Sequence, residues 1–325
     1  MKILYAGSPD ISARVLMDMQ KLFLTDGRHE IVGVLTNPPS TKGRHHDLVP
    51  TDTGAAAAEL GLPVLTPEHL DAAAREQVAA LKPDILVCFA YGKIFGPKFM
   101  ALFKEGGINY HPSLLPLYRG CAPAQAAILN REPFTGLTVQ RLAQGMDEGD
   151  ILVQEKFPLT GTETAGSLLD DAAARGAELL VKALDALASG TASPVPQDGT
   201  RATYCTMLKK EDGRIDWTQG AADIDARIRA YSPWPGAFTS VGGVQLKLLK
   251  AAVYNGTAGE AAAALKAGTV IGVDKKAGIL IQTGCGVLAV SELQWQAKKA
   301  MDFKAFLNGT KNFEGTRFDA ADVQD

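Results

Sequence analysis

The sequence predicts a doubly wound α/β domain followed by a small β-barrel, and three observations carry that expectation. Through the first two hundred residues, short apolar runs alternate with stretches of helical periodicity, which reads as buried parallel strands separated by helices. A small, polar, proline-containing stretch, Thr191 to Thr200, then interrupts the pattern. Beyond it come paired β-runs joined by glycine-containing turns, the signature of hairpins.

In chain order, Lys2–Ala6, Ile31–Leu35, Ile85–Ala90, Gly107–Tyr110 and Leu137–Arg141 read as strands. Ile11–Phe23, Ala55–Leu60, Ala72–Leu81 and Ala122–Asn130 read as the helices between them. Ser167–Ala188 is the last helix of this part. Leu168, Ala172, Leu179, Ala183 and Leu187 recur at three-to-four-residue spacing, and Asp170 and Asp171 suit its positive N-terminal end. After the interruption, Ala221–Tyr231 presents Ile224, Ile228 and Tyr231 on one helical face. Ala237–Val241 and Val244–Lys250 flank Gly242-Gly243, and Gly278–Thr283 and Val287–Leu293 flank Gly284-Cys285-Gly286. Ala258–Ala264 reads as an alanine-rich loop or short helix. The expected organisation is a first domain over 1–190, a linker over 191–206 and a second domain over 207–325.

A chain of 325 residues with 46% hydrophobic and 21% charged content can bury two substantial cores. No apolar run reaches the length of a membrane span, so a cytoplasmic protein with no membrane partner is expected, and separately a monomer. Cys88, Cys121, Cys205 and Cys285 lie far apart, with no Cys-x-x-Cys pair and no metal-ligand spacing to histidine, so reduced thiols and no metal are expected. Residues 1–200 hold 17 Lys and Arg against 23 Asp and Glu, a net −6, whereas 201–325 hold 16 against 13, a net +3. The mildly basic second part suits a polyanionic partner.

Two strand-following motifs carry the chemistry. Asn109-Tyr110-His111-Pro112-Ser113-Leu114-Leu115-Pro116 and Gly145-Met146-Asp147-Glu148-Gly149-Asp150 supply a carboxamide, an imidazole and a carboxylate. The imidazole moves a proton near neutral pH, and the amide N–H donates to a developing oxyanion. The carboxylate orients the imidazole or takes the attacking group's proton. Those are the parts of an acyl-transfer site without a covalent nucleophile. Singly, Asn109 and Asp147 would each fit an ordinary turn; the combination is what points to catalysis. The prolines around Ser113–Leu115 fix φ locally and suit a rigid loop against a flat ligand.

These landmarks make the chain resemble the methionyl-tRNA formyltransferases over essentially its full length. The matching residues are Ala6-Gly7-Ser8-Pro9-Asp10, the Asn109 to Pro116 motif with Arg119-Gly120-x-x-Pro123, and Thr135-Gly136-x-Thr138 leading to Gly145–Asp150. In the second part they are Arg214-Ile215-Asp216-Trp217, Ile228 to Pro235 and Lys298-Lys299-Ala300-Met301. The resemblance implies a Rossmann-like formyl-transfer domain joined to an OB-like barrel that binds tRNA. It implies transfer of formyl from N10 of 10-formyltetrahydrofolate to the α-amino group of methionine on charged initiator tRNA. Carried over by motif position, Asn109, His111 and Asp147 are catalytic, and Ser113, Leu114, Leu115 and Pro116 line the folate site. Asp150 is a second carboxylate in the same motif, and the resemblance alone selects Asp147. Asn109 and a protonated His111 would stabilise the tetrahedral oxyanion, while Asp147 holds the imidazole or relays the amine's proton.

Between the second strand and the Ala55 helix, residues 37–50 form a connection longer than usual. The resemblance implies that this loop reaches the tRNA acceptor stem through Lys42 and Arg44. A formyltransferase acting on an amino sugar nucleotide shares the first-domain motif and is the alternative reading. A non-enzymatic nucleic-acid-binding protein would leave Asn109, His111 and Asp147 unexplained. A dinucleotide-dependent dehydrogenase would need a G-x-G-x-x-G run that Gly7-Ser8-Pro9 does not provide.

Overall fold

The computed structural model describes residues 1–42, 47–256 and 265–319. They group into two compact units. The first comprises Met1–Pro123, Phe134–Pro158 and Leu168–Cys205, and the second Ala124–Pro133, Leu159–Ser167 and Thr206–Asp325.

Among the described residues, eleven strands precede residue 206: β1 (Lys2–Ala6), β2 (Glu30–Leu35), β3 (Ser40–Lys42), β4 (Asp47–Val49), β5 (Val64–Leu65), β6 (Ile85–Cys88), β7 (Gly107–His111), β8 (Arg119–Gly120), β9 (Phe134–Arg141), β10 (Ile151–Pro158) and β11 (Tyr204–Cys205). The α-helices over the same span are α1 (Asp10–Asp26), α2 (Asp52–Glu59), α3 (Ala72–Ala80), α4 (Pro97–Met100), α5 (Pro123–Leu129) and α6 (Ala165–Ala188). The main sheet runs β10-β9-β7-β6-β1-β2-β5. β1 sits between β2 and β6 with both faces covered, which is why Ile3, Leu4, Tyr5 and Ala6 are fully buried. Helix starts follow local chemistry: the Thr51 and Asp71 side chains accept from the N–H groups of Gly54 and Ala74 and cap α2 and α3. Gly27, at φ 64°, ends α1 with its N–H on the Phe23 carbonyl at 2.9 Å.

The sheet is mixed rather than wholly parallel. β7 pairs in parallel with β6 but antiparallel with β9, and β9 pairs antiparallel with β10. The sequence reading missed β10, whose alternately exposed residues mark a solvent-facing edge strand and not a buried apolar run. β9 and β10 form a hairpin, so the Asp147 segment is a hairpin loop and not a strand-to-helix turn.

Strand alternation sorts side chains to two sides. Ile3, Tyr5, Val87, Ile108, Tyr110 and Val139 pack with Val15, Leu16 and Met19 of α1 and with Ala172, Leu180 and Leu184 of α6. Leu4, Ala6, Leu86 and Cys88 face the other way, with Val78 of α3 and Phe99 of α4. This is the two-layered burial of a doubly wound sheet.

The second unit holds α7 (Ala221–Ala230), β12 (Phe238–Val241), β13 (Val244–Val253), β14 (Val270–Asp274), β15 (Gly278–Gln282), β16 (Val287–Trp295), β17 (Met301–Asp302) and α8 (Phe303–Gly309). Its strands form a curled antiparallel half-barrel in the order β12-β13-β16-β15-β14, with β17 on β16. Gly242 and Gly243 have φ of 55° and 78°, the left-handed pair that a two-residue hairpin turn between β12 and β13 requires. Trp217 is buried and donates from Nε1 to Thr239 Oγ1 at 3.0 Å, and Trp295 stacks on Phe306. The alanine-rich element expected over Ala258–Ala264 lies outside the described residues.

Candidate active site

β7 positions the first two site residues by alternation. Ile108 and Tyr110 enter the core, so Asn109 and His111 share the opposite face. Asn109 is the third of five residues in β7, not a turn residue as the sequence suggested, because β9 pairs along β7 as far as His111. It is level with Cys88 of β6, which is level with Ala6 of β1, so it still lies at the height where the neighbouring parallel strands end. Opposite Asn109 and His111 across the ladder stand Gln140 and Thr138 of β9.

The hairpin loop between β9 and β10 folds back over this face and brings in Asp147. Its carboxylate gathers three donors and lies beside the imidazole. Oδ1 accepts from Asn109 Nδ2 at 3.2 Å and Gln140 Nε2 at 2.8 Å; Oδ2 accepts from the Gly120 N–H at 2.8 Å and stands 3.6 Å from His111 Nδ1. A carboxylate has about four acceptor directions, so three are taken and one is left on the side of the imidazole. Asp147 has a φ of 52° and so carries local backbone strain, as is common where a side chain must be aimed. Asp150, the rival carboxylate, is exposed and contributes its carbonyl to Arg141 N–H instead.

His111 is 4% exposed, and its Nε2 lies 2.8 Å from the Tyr118 carbonyl, an acceptor only. That contact assigns the proton of the neutral ring to Nε2 and leaves the Nδ1 lone pair facing the Asp147 side of the site. Asn109 Nδ2 has two N–H bonds and gives one to Asp147, so the other is available to a ligand. The cluster therefore combines one proton-accepting nitrogen, one free amide donor and one anion that holds the amide and lies beside the nitrogen.

Ser113, Leu114, Leu115 and Pro116 follow directly. Ser113 is fully buried, and its Oγ donates to the Leu117 carbonyl at 2.7 Å while its own carbonyl accepts from Thr138 Oγ1 at 2.7 Å. Leu115 is also buried, and its carbonyl accepts from Gln154 Nε2 at 3.0 Å. Leu114 and Pro116 are half-buried. The segment is thus braced from within by β9 and β10.

Lys42 ends β3, its backbone opposite Asp47 of β4, so the long connection rises as a short antiparallel ribbon. Arg44, with Gly43, His45 and His46, lies outside the described residues, as does the Lys42 side chain. Gln140, Gly120 and Gln197 are site residues that the sequence reading did not find. Alternation along β9 could have flagged Gln140 once its register with Asn109 was known. Gly120 acts through its backbone N–H, and Gln197 sits in a segment whose composition reads as a linker.

Residues 1–184 match the family described as formyl transferase, and residues 207–311 match the formyl transferase C-terminal domain. The methionyl-tRNA formyltransferase of Treponema denticola is 47% identical over 321 residues, covering 96% of this chain and 98% of its own. This chain belongs to the methionyl-tRNA formyltransferases. Solved structures share the fold of the family. A methionyl-tRNA formyltransferase from Clostridium thermocellum superposes with a TM-score of 0.56 at 19% identity, over 79% of this chain and 95% of its own. WlaRD, a sugar 3N-formyl transferase solved in the presence of dTDP and 5-N-formyl-THF, superposes with a TM-score of 0.63 at 18% identity, over 92% and 99%. No helix among the described residues is long and apolar enough to cross a membrane, and no cluster of three metal-ligating side chains occurs among them.

Proposed function

We propose that the protein transfers the formyl group of 10-formyltetrahydrofolate to the α-amino group of methionine carried by initiator tRNA, and that Asn109, His111 and Asp147 perform the transfer. The observation that carries this reading is the Asp147 carboxylate gripped by Asn109, Gln140 and Gly120 beside His111 Nδ1. His111 Nδ1 accepts the proton that the attacking amine sheds, and the resulting imidazolium pairs with Asp147. The imidazolium and the free Asn109 N–H then face the oxyanion that develops on the formyl oxygen. His111 finally returns its proton to the folate nitrogen as the carbon–nitrogen bond breaks, so atoms and charge balance without a metal or an enzyme-bound formyl group. Asp147, with three of its acceptor directions taken by the two amides and the Gly120 N–H, serves as the partner of the imidazolium rather than as the first proton acceptor.

Leu114 and Pro116 are the members of the Ser113–Pro116 segment with surface left to offer the folate, while Ser113 and Leu115 hold the loop. Lys42 and Arg44, together with the second unit, are assigned to the tRNA. The test is His111→Gln, which keeps a polar side chain but cannot gain and return a proton. Transfer to charged initiator tRNA falls about 10²–10⁴-fold with folate binding retained; a variant that turns over at the wild-type rate overturns the assignment.

A further inference from the structure

The stretch between α6 and the second unit is strung along the first unit. Val195 exchanges backbone hydrogen bonds with Ile151 at 2.8 and 2.9 Å, and β11 runs parallel to β8. Between these two pins lies Gln197, whose side-chain amide uses every donor and acceptor it has. Nε2 donates to the carbonyls of Asp147 at 2.8 Å and Gly149 at 2.7 Å and approaches Gln140 Oε1 at 3.1 Å. Oε1 accepts from Arg119 Nε at 3.2 Å and Nη2 at 3.0 Å.

The order of donors along this chain of contacts is fixed. Arg119 is 4% exposed and can only donate, so Gln197 must turn its oxygen toward Arg119 and its NH₂ toward the Asp147 loop. Gln140 must then present its oxygen to Gln197 and its NH₂ to Asp147 Oδ1. A flip of either amide would set donor against donor or acceptor against acceptor. Gln197 also holds the carbonyl of Asp147 itself, the residue in the left-handed region, and that of Gly149 two positions on. The backbone of the loop and the polarity of the amides that grip the carboxylate both depend on it.

From these contacts we propose that Gln197 is a positioning residue for formyl transfer: it sets the Asp147 loop and, through Gln140, the hydrogen bonds that aim the Asp147 carboxylate at His111. The proposal rests on the reading of Asn109, His111 and Asp147 as the reacting site. The segment leading to the second unit is thereby part of the catalytic apparatus and not only a tether.

The test uses the full-length protein. Gln197→Glu keeps the size of the side chain and its acceptor toward Arg119, but it sets a second acceptor against the Asp147 and Gly149 carbonyls. The expected result is a kcat lowered by about 10–100-fold, since small misplacements of reacting groups carry losses of that order, with KM for folate and for charged tRNA nearly unchanged. Gln140→Leu breaks the same relay from another element and gives the same split between kcat and KM. In an Asp147→Asn background, Gln197→Glu adds little further loss, because its effect runs through that carboxylate. A wild-type kcat in both Gln197→Glu and Gln140→Leu overturns the proposal, as does a full multiplicative loss in the double variant. Wild-type turnover by Asp147→Asn alone would instead sink the reading of the site on which the proposal rests.

Discussion

Asp147→Asn probes the site at the point where its contacts converge. The substitution preserves shape but replaces one acceptor oxygen with an NH₂ group. Both oxygens of the native carboxylate face donors, Asn109 Nδ2 and Gln140 Nε2 on one side and the Gly120 N–H on the other. The Gly120 N–H is backbone and cannot invert, so the new amide turns its oxygen there and its NH₂ toward Asn109 and Gln140. Those two amides must then flip to accept, which takes the Gln140 oxygen away from Gln197 and turns the Asn109 NH₂ out of its present position. An unresolved donor–donor conflict costs about 1–3 kcal/mol of stability. The larger effect is on rate: losing the anion beside His111 Nδ1 and the amide set by it slows transfer about 10²–10⁴-fold, or about 3–5 kcal/mol of transition-state stabilisation. Steady-state formylation of charged initiator tRNA gives the rate, and calorimetric titration with folate checks that binding survives. Near-wild-type turnover by Asp147→Asn, with Asp150→Asn inactive, would show that the other carboxylate of the motif does the work.

Three further outcomes follow from the same account. Arg44→Leu raises KM for charged tRNA with little effect on folate binding, and wild-type tRNA binding weakens with salt as counterions are released; unchanged tRNA kinetics would remove the β3–β4 ribbon from the recognition surface. A fragment ending at Thr206 keeps Gln197 and β11, so it retains folate binding and loses most affinity for tRNA. A folded fragment with wild-type tRNA affinity would refute the assignment of tRNA binding to residues 207–325. Burial pushes the Cys205 thiol up to about 11 and that of Cys88 up to about 12, so alkylation of the native protein at pH 8 labels the exposed Cys121 and Cys285 and spares both others; modified Cys88 or Cys205 in the mass spectrum would contradict the packing of β6 or β11.

The fold was legible where local pattern and tertiary burial agree. The apolar run Lys2–Ala6 became a central strand with unchanged bounds, and the periodic stripe over Ser167–Ala188 became α6, begun two residues earlier at Ala165. β10 was not legible, because an edge strand with one wet face lacks a continuous apolar run, and its absence hid the antiparallel turn of the sheet. The carboxamide, imidazole and carboxylate were readable as chemistry, and alternation along β7 suffices to put Asn109 and His111 on one face. Their contact with Asp147 depends on a loop doubling back from the far end of β9, which no local rule encodes. Gln197 was the least visible residue. It sits among Ser, Pro and Asp residues that suit a solvated linker, and only the backbone pairing of Val195 and of β11 reveals that it is held against the loop.

The central claim is that this site delivers a formyl group to the amine of a charged tRNA, and an acceptor comparison tests it most directly. The purified protein is supplied with 10-formyltetrahydrofolate and, in parallel, with charged initiator tRNA, charged elongator tRNA and an amino sugar nucleotide, and kcat/KM is measured for each. The account predicts formylmethionine on the initiator tRNA as the favoured product and no turnover of the sugar. Formylation of the amino sugar nucleotide with the charged initiator tRNA left unmodified would contradict it.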